Sequence, residues 1–270
     1  MKGKTRRDYY QEVTDMIVEE LEKGVRPWFK PWDAEHAAVR ISVPRRHNGE
    51  RYRGINVLTL WMVANRKGYG CTTWMTYRQA QKLGGQVRKG EKAAPVFYAS
   101  TMTITEENQD GEEEERQIPF MKGYSVFNVE QIDDLPEHYY QPPEPPAETE
   151  PMARIEAGDQ FIAGTGANIQ IGGPQACYSE TADRIELPPI EAFKDSSAFY
   201  TTAAHELVHW TKHPARLDRN FGRRKWGDAG YAREELVAEL GAAFIAGDLG
   251  IVPRIEEDHA PYIASWLQAL

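Results

Sequence analysis

The string His205-Glu206-Leu207-Val208-His209 constrains this chain more than any other feature, because its chemistry works in only one local structure. The surrounding run Phe199 to Trp210 reads as a helix, opened by Asp195, Ser196 or Ser197 and ended before Pro214. On a helix His205 and His209 stand one turn apart, so both imidazoles leave the same face and can grip one cation. Glu206 falls between them, close enough to reach a water beside that cation without ligating it. Two surface histidines on an amphipathic helix would give the same string, so a third ligand has to come from elsewhere.

Residues Tyr231 to Gly247 form a second strong helix pattern, with Asp228 as its cap. Glu235 and Glu239, four residues apart, share a face in an otherwise apolar run. Burying carboxylates there is costly unless they meet a cation. The economical arrangement makes Glu235 the third ligand and Glu239 the acceptor that fixes a histidine ring, and the reverse assignment stays open. Glu234 is expected to be simply exposed. Two neutral imidazoles and a carboxylate suit zinc, with manganese or another divalent ion as the alternative. In such a site Glu206 serves as general base on water and then hands the proton to a leaving amine. Tyr231, Tyr200 and His213 are the candidate oxyanion donors.

The rest of the chain looks different. Of its 270 residues, 1–100 carry 19 Lys+Arg against 10 Asp+Glu, whereas the remainder carries 13 against 31, so a net charge of −9 hides a basic front and an acidic back. Binding depends on the local field, so the overall acidity does not exclude nucleic acid. A Pro-rich acidic stretch from Leu135 to Pro151 divides the two halves. We expect a front domain over 1–135, a linker over 136–151 and a back domain over 152–270. A hydrophobic share of 41% supports real cores. Nothing approaches the ~18 consecutive apolar residues of a membrane span. The basic start has no apolar run behind it to make a secretory signal. Cys71 and Cys177 are too few for a disulfide framework. A soluble, cytoplasmic protein is the expectation; its oligomeric state is open.

The front half reads as α+β. Tyr10, Val13, Ile17 and Leu21 make one helical stripe stopped by Gly24; Asn56 to Lys67 makes a second helix ending near Gly68; Thr76 and Gln79 form a capping box. Ala93–Ile104 and Gln117–Val129 suggest an antiparallel hairpin around an acidic, mobile tip, Glu106 to Arg116. Basic and aromatic residues interleave here: Trp28, Lys30 and Trp32; Arg45, Arg46, Arg51, Tyr52, Arg53 and Asn56; Trp74, Tyr77, Arg78 and Lys82; Arg88 and Lys89. Single-stranded nucleic acid offers a phosphate chain to cations and bare base faces to rings, which is what this mixture answers. Duplex reading would instead favour a helix of Arg, Asn and Gln. The bland alternative is that Trp61 and Trp74 belong to the core.

At this point the sequence resembles the ArdC-type antirestriction family. In the front half the resemblance rests on Tyr52-Arg53-Gly54-Ile55-Asn56-Val57-Leu58, Trp74-Met75-Thr76-Tyr77-Arg78-Gln79-Ala80 and Leu83 to Lys92; the two Pro-Trp segments at 26–32 and Tyr124 to Val129 fit as well. In the back half it rests on Asp183 to Pro188, His205 to Thr211, Arg216-Leu217-Asp218-Arg219 and Glu234 to Glu239. The resemblance implies an α+β single-strand-binding domain followed by a zincin-like metallopeptidase domain that holds a metal. It also implies a plasmid- or phage-borne protein that shields incoming DNA from host restriction. Three readings follow: a single-strand DNA binder with an attached peptidase domain; a peptidase that cleaves a host restriction or other protein and is brought to DNA by its basic half; or a non-enzymatic coat with a structural metal.

Overall fold

A computed structural model of the chain describes residues 8–24, 43–107, 113–141, 152–222 and 229–251. Among them, helix α1 (Tyr9–Glu22) from Tyr10 onward groups with Val43 and residues 152–251 in one compact unit, and residues 44–141 fall in the other. The helix's stripe of Val13, Ile17 and Leu21 is buried, as its amphipathic pattern requires.

The 44–141 unit is α+β, as expected. Its elements are β1 (Arg45–Arg46), α2 (Ile55–Lys67), β2 (Thr73–Met75), α3 (Tyr77–Lys82), β3 (Gln86–Val87), β4 (Ala94–Glu107), β5 (Glu113–Asn128) and β6 (Ile132–Asp133). They form a four-stranded sheet in the order β1-β2-β5-β4, with β3 and β6 paired separately. Gly68 takes φ 72° as the left-handed stop of α2, and the Thr76–Gln79 capping box opens α3. Met75, Val129 and Ile132 centre the core. The hairpin runs further than its composition suggested, because Glu106 pairs with Glu114 and Glu107 with Glu113 inside the acidic tract. The backbone ladder is indifferent to side-chain charge. The unit also outlasts the expected boundary at 135. Tyr139 and Tyr140 pack on the core, and the Tyr140 hydroxyl donates to Ile132 O at 2.8 Å.

In the second unit, α4 (Glu156–Thr165) precedes a three-stranded sheet of β7 (Ile169–Ile171), β8 (Cys177–Ser179) and β9 (Arg184–Leu187) in the order β7-β9-β8. Two helices follow, α5 (Ser196–Trp210) and α6 (Ala229–Leu249). Asp195 caps α5 by accepting from Ala198 N at 2.9 Å. The cap expected for α6, Asp228, lies outside the described residues. Ile185, Leu187, Phe199, Tyr200, Ala203 and Leu207 form the core beneath α5.

Helices α5 and α6 pack closely because Gly241 has no side chain. A Cβ built there would lie 2.6 Å from Val208 Cγ2 and 3.1 Å from its Cγ1. A valine on a helix has essentially one rotamer and cannot turn aside. Gly241→Ala is therefore expected to part the helices at a cost of about 1–3 kcal/mol, read as a fall of several degrees in thermal midpoint. An unchanged midpoint would show that the contact does not set the spacing.

Candidate functional site

His205 and His209 project from α5 toward Glu234, Glu235 and Glu239 on α6. The two Nε2 atoms lie 3.1 Å apart. Glu235 brings one oxygen within 3.5 Å of His205 Nε2 and the other within 3.6 Å of His209 Nε2. The outer nitrogens face different acids: His209 Nδ1 stands 3.1 Å from Glu234 Oε1, and His205 Nδ1 stands 3.7 Å from Glu239 Oε2. With each Nδ1–H directed at a carboxylate, both Nε2 atoms present lone pairs to each other and to Glu235. That convergence repels itself unless positive charge sits within it. Ligand atoms held ~2.0–2.2 Å from a tetrahedral centre stand roughly 3.3–3.6 Å from one another, close to the spacing seen here.

A proton can answer the same need. Burial pushes the His205 imidazole down, but Glu235 and Glu239 override it and hold its pKa up to about 10. Burial likewise raises Glu235, and its two histidines more than reverse this, leaving its carboxyl well below the usual range. This is a pocket that demands a cation. His205, His209 and Glu235 form a three-residue donor group, and their chemistry fits a divalent ion. The two acids differ in reach: Glu235 faces both inner nitrogens, whereas Glu239 faces the outer side of one ring.

Glu234 corrects the expectation of simple exposure. It is 9% exposed, and Arg219 grips it with Nε–Oε2 at 2.8 Å and Nη2–Oε1 at 2.7 Å. Arg219 also donates to Val208 O and Thr211 Oγ1, each at 3.0 Å, so it locks the end of α5 to α6 and orients His209 through Glu234. Nearby, Arg216 lies over the Trp210 ring at 3.9 Å and pairs with Asp183 beside β8. Asp218 turns the chain between the two arginines at φ 45°, a conformation aspartate tolerates. The Arg216–Arg219 segment was visible in the sequence, but its role was not.

Glu206 lines a cavity of about 400 Å³ with both histidines, Glu235, Cys177, Tyr178, Lys212 and Tyr231. Burial raises its pKa while His205 and His209 pull it down. Of the three oxyanion candidates, Tyr231 lines the cavity. Tyr200 does not: it is 3% exposed, donates to Asp159 at 2.7 Å and accepts from Ile155 N at 3.1 Å. His213 is also absent from the lining, and its Nδ1 accepts from Ala215 N at 3.1 Å.

The nucleic-acid candidates scatter more. Trp74 is 1% exposed and Tyr52 7%, so both rings belong to the core and neither offers a stacking face. Asn56 holds Phe97 N and O, both at 2.7 Å, capping the outer edge of β4 as a neighbouring strand would. Arg88 is tied to Asp133 and Glu91, each at 3.2 Å. Arg46 pairs with Glu50 at 3.2 Å. Arg45, Arg51, Arg53, Tyr77, Arg78, Lys82 and Lys89 are exposed. Tyr77, Arg88 and Lys89 share one shallow depression. Trp28, Lys30 and Trp32 lie outside the described residues. Among the described residues no helix is long and apolar enough to cross a membrane.

Comparison with known proteins places these units. Residues 7–127 match the N-terminal domain of anti-restriction factor ArdC, and residues 156–270 match a zincin-like metallopeptidase domain. The metal-free crystal structure of the antirestriction ArdC protein from plasmid R388 superposes with a TM-score of 0.76 at 45% identity, covering 97% of this chain and 89% of that one. Its Mn(II)-bound form gives 0.75 at 43% identity, with the same coverage. The uncharacterized protein y4eC of Sinorhizobium fredii is 38% identical over 98% of this chain and 85% of its own length. The DNA primase TraC of Escherichia coli is 35% identical over 99% of this chain, which spans 25% of that protein. Domain order and fold agree, and the chain belongs to the ArdC antirestriction family, with an ArdC N-terminal domain followed by a zincin-like metallopeptidase domain.

Proposed function

We propose that this protein binds single-stranded DNA through its N-terminal domain, protects incoming plasmid or phage DNA from host restriction, and holds one divalent ion, zinc or manganese, between His205, His209 and Glu235. The observation that carries this reading is the inward-facing donor set, three ligating groups at 3.1–3.6 Å with their outer sides held by acids. The Mn(II)-bound R388 protein supports a divalent occupant. When bound, such an ion polarises a carbonyl and eases the ionisation of water. Glu206 then accepts the proton and delivers it to the leaving amine, while Tyr231 is placed to donate to the carbonyl oxygen. The position of Glu206 in the cavity favours peptide hydrolysis over a structural ion, which has no use for a base. The substrate would be a host protein, delivered or approached through the DNA-binding domain.

The DNA-binding half rests on charge. Of the 13 acids in residues 44–141, seven crowd into 106–115, so the rest of the unit has a surplus of cations. Arg51→Ala/Arg53→Ala is expected to weaken binding of an oligo-dT strand and to reduce the slope of log K against log salt by about 1.4, near 0.7 per lost phosphate contact. Titrations from low to high salt measure this, and an unchanged slope would remove both residues from the DNA surface.

A further inference from the structure

The β4–β5 ribbon carries an aromatic and cationic face that the sequence reading did not single out. Its register sets Val96 opposite Tyr124, Tyr98 opposite Lys122, Ser100 opposite Phe120 and Ile104 opposite Arg116. Alternation puts all of these on one side of the ribbon, with successive rows about 6.8 Å apart. The other side offers Phe97, Ala99, Thr101 and Thr103 against Gly123, Met121, Pro119 and Gln117, with no cation, and its one ring, Phe97, is buried at 8% exposure. On the first side Tyr98 is 50% exposed and Tyr124 48%. The Tyr98 and Phe120 rings lie 6.1 Å apart at 54°, and Lys122 Nζ stands 5.3 Å from the centre of the Phe120 ring. Large rings grouped on a two-stranded ribbon bury little in their own domain and mark a contact surface.

We infer that this face, centred on Tyr98, Phe120, Lys122 and Tyr124, is where unpaired bases stack on the N-terminal domain. The inference deepens the single-strand reading above and rests on it. Rings at strand spacing give successive bases something flat to lie on, and Lys122 and Arg116 answer the phosphates. A two-stranded ribbon can also enter a duplex groove, but there it must present Arg, Asn or Gln to base edges. This face presents rings, which can be used only where base faces are bare. The acidic tract beyond Arg116 repels phosphate, so the strand lies across the root of the ribbon and stops short of its tip.

The test uses the full chain and a labelled oligo-dT strand. Tyr98→Ala/Phe120→Ala/Tyr124→Ala is expected to lose at least about thirtyfold in affinity with the salt slope unchanged, because stacking involves no counterion. Lys122→Gln should instead reduce the slope by about 0.7. Tyr98→Phe/Tyr124→Phe, which keeps both rings, should bind like the parent. A triple variant that binds as the parent does, in a parent that binds, overturns the ribbon assignment and leaves the single-strand reading standing. No binding by the parent overturns both. Equal losses on oligo-dT and on a blunt duplex, or a parent dimer that the triple variant dissolves in sedimentation, assign the face to another occupant and overturn the inference.

Discussion

His205→Ala is expected to take the metal content of the purified protein from one ion per chain to near zero, measured by elemental analysis after equilibration with zinc or manganese. The side chain is one of three inner donors, and it also shapes the site, because its Nε2 lies 3.1 Å from His209 Nε2 and 3.5 Å from Glu235. Its removal leaves one imidazole and one carboxylate, fewer protein ligands than either structural or catalytic zinc sites use. The loss should exceed the 10–100-fold that follows from removing an outer hydrogen-bond partner of a ligand. That comparison supplies an internal scale: Glu239→Gln and Glu234→Gln touch only outer nitrogens and should weaken the ion without expelling it. A His205→Ala protein that keeps a full equivalent would show that the converging lone pairs hold something other than a metal. Folding is a separate matter. His205 lies above the Ala203–Leu207 core and contributes little to it, so circular dichroism should report an intact helix content.

What could be read from residue order, and what could not, divides along physical lines. Helix α5 and its two histidines were legible because helical spacing alone puts both imidazoles on one face. The pair Glu235 and Glu239 was legible for the same reason. Which of them faces inward was not, since that depends on how α6 is rotated against α5, a tertiary arrangement in which Gly241 meets Val208. Glu234 looked like an exposed charge until Arg219 came back to meet it after the turn at Asp218. In the N-terminal domain the elements were legible from caps, glycine stops and alternation. The roles of Trp74, Tyr52 and Asn56 were not, because an aromatic or amide side chain looks the same in sequence whether it stacks on a base, fills a core or caps a strand. The ribbon face escaped notice because Tyr98 and Lys122 are far apart in the chain and become neighbours only through register.

Glu206→Gln separates the hydrolytic reading from a structural one, and its expected effect is large. The amide keeps the volume of the carboxylate and leaves His205, His209 and Glu235 in place, so the ion should remain at one equivalent. What is lost is the ability to accept a proton, a contribution typically worth 10²–10⁴-fold. We therefore expect hydrolysis of a quenched-fluorescent peptide pool to fall by at least about 10²-fold at unchanged metal content. Protection of an unmodified plasmid entering a restricting host should fall with it. The buried setting sharpens the test. Glu206 sits in a cavity where burial already favours its neutral form, so a neutral glutamine replaces it at little cost in stability. Retained protection together with lost hydrolysis would confine antirestriction to the DNA-binding domain and make the peptidase domain a separate activity. Unchanged hydrolysis would remove Glu206 from the chemistry altogether, and a parent protein that cuts nothing in the pool would return the ion to a structural role.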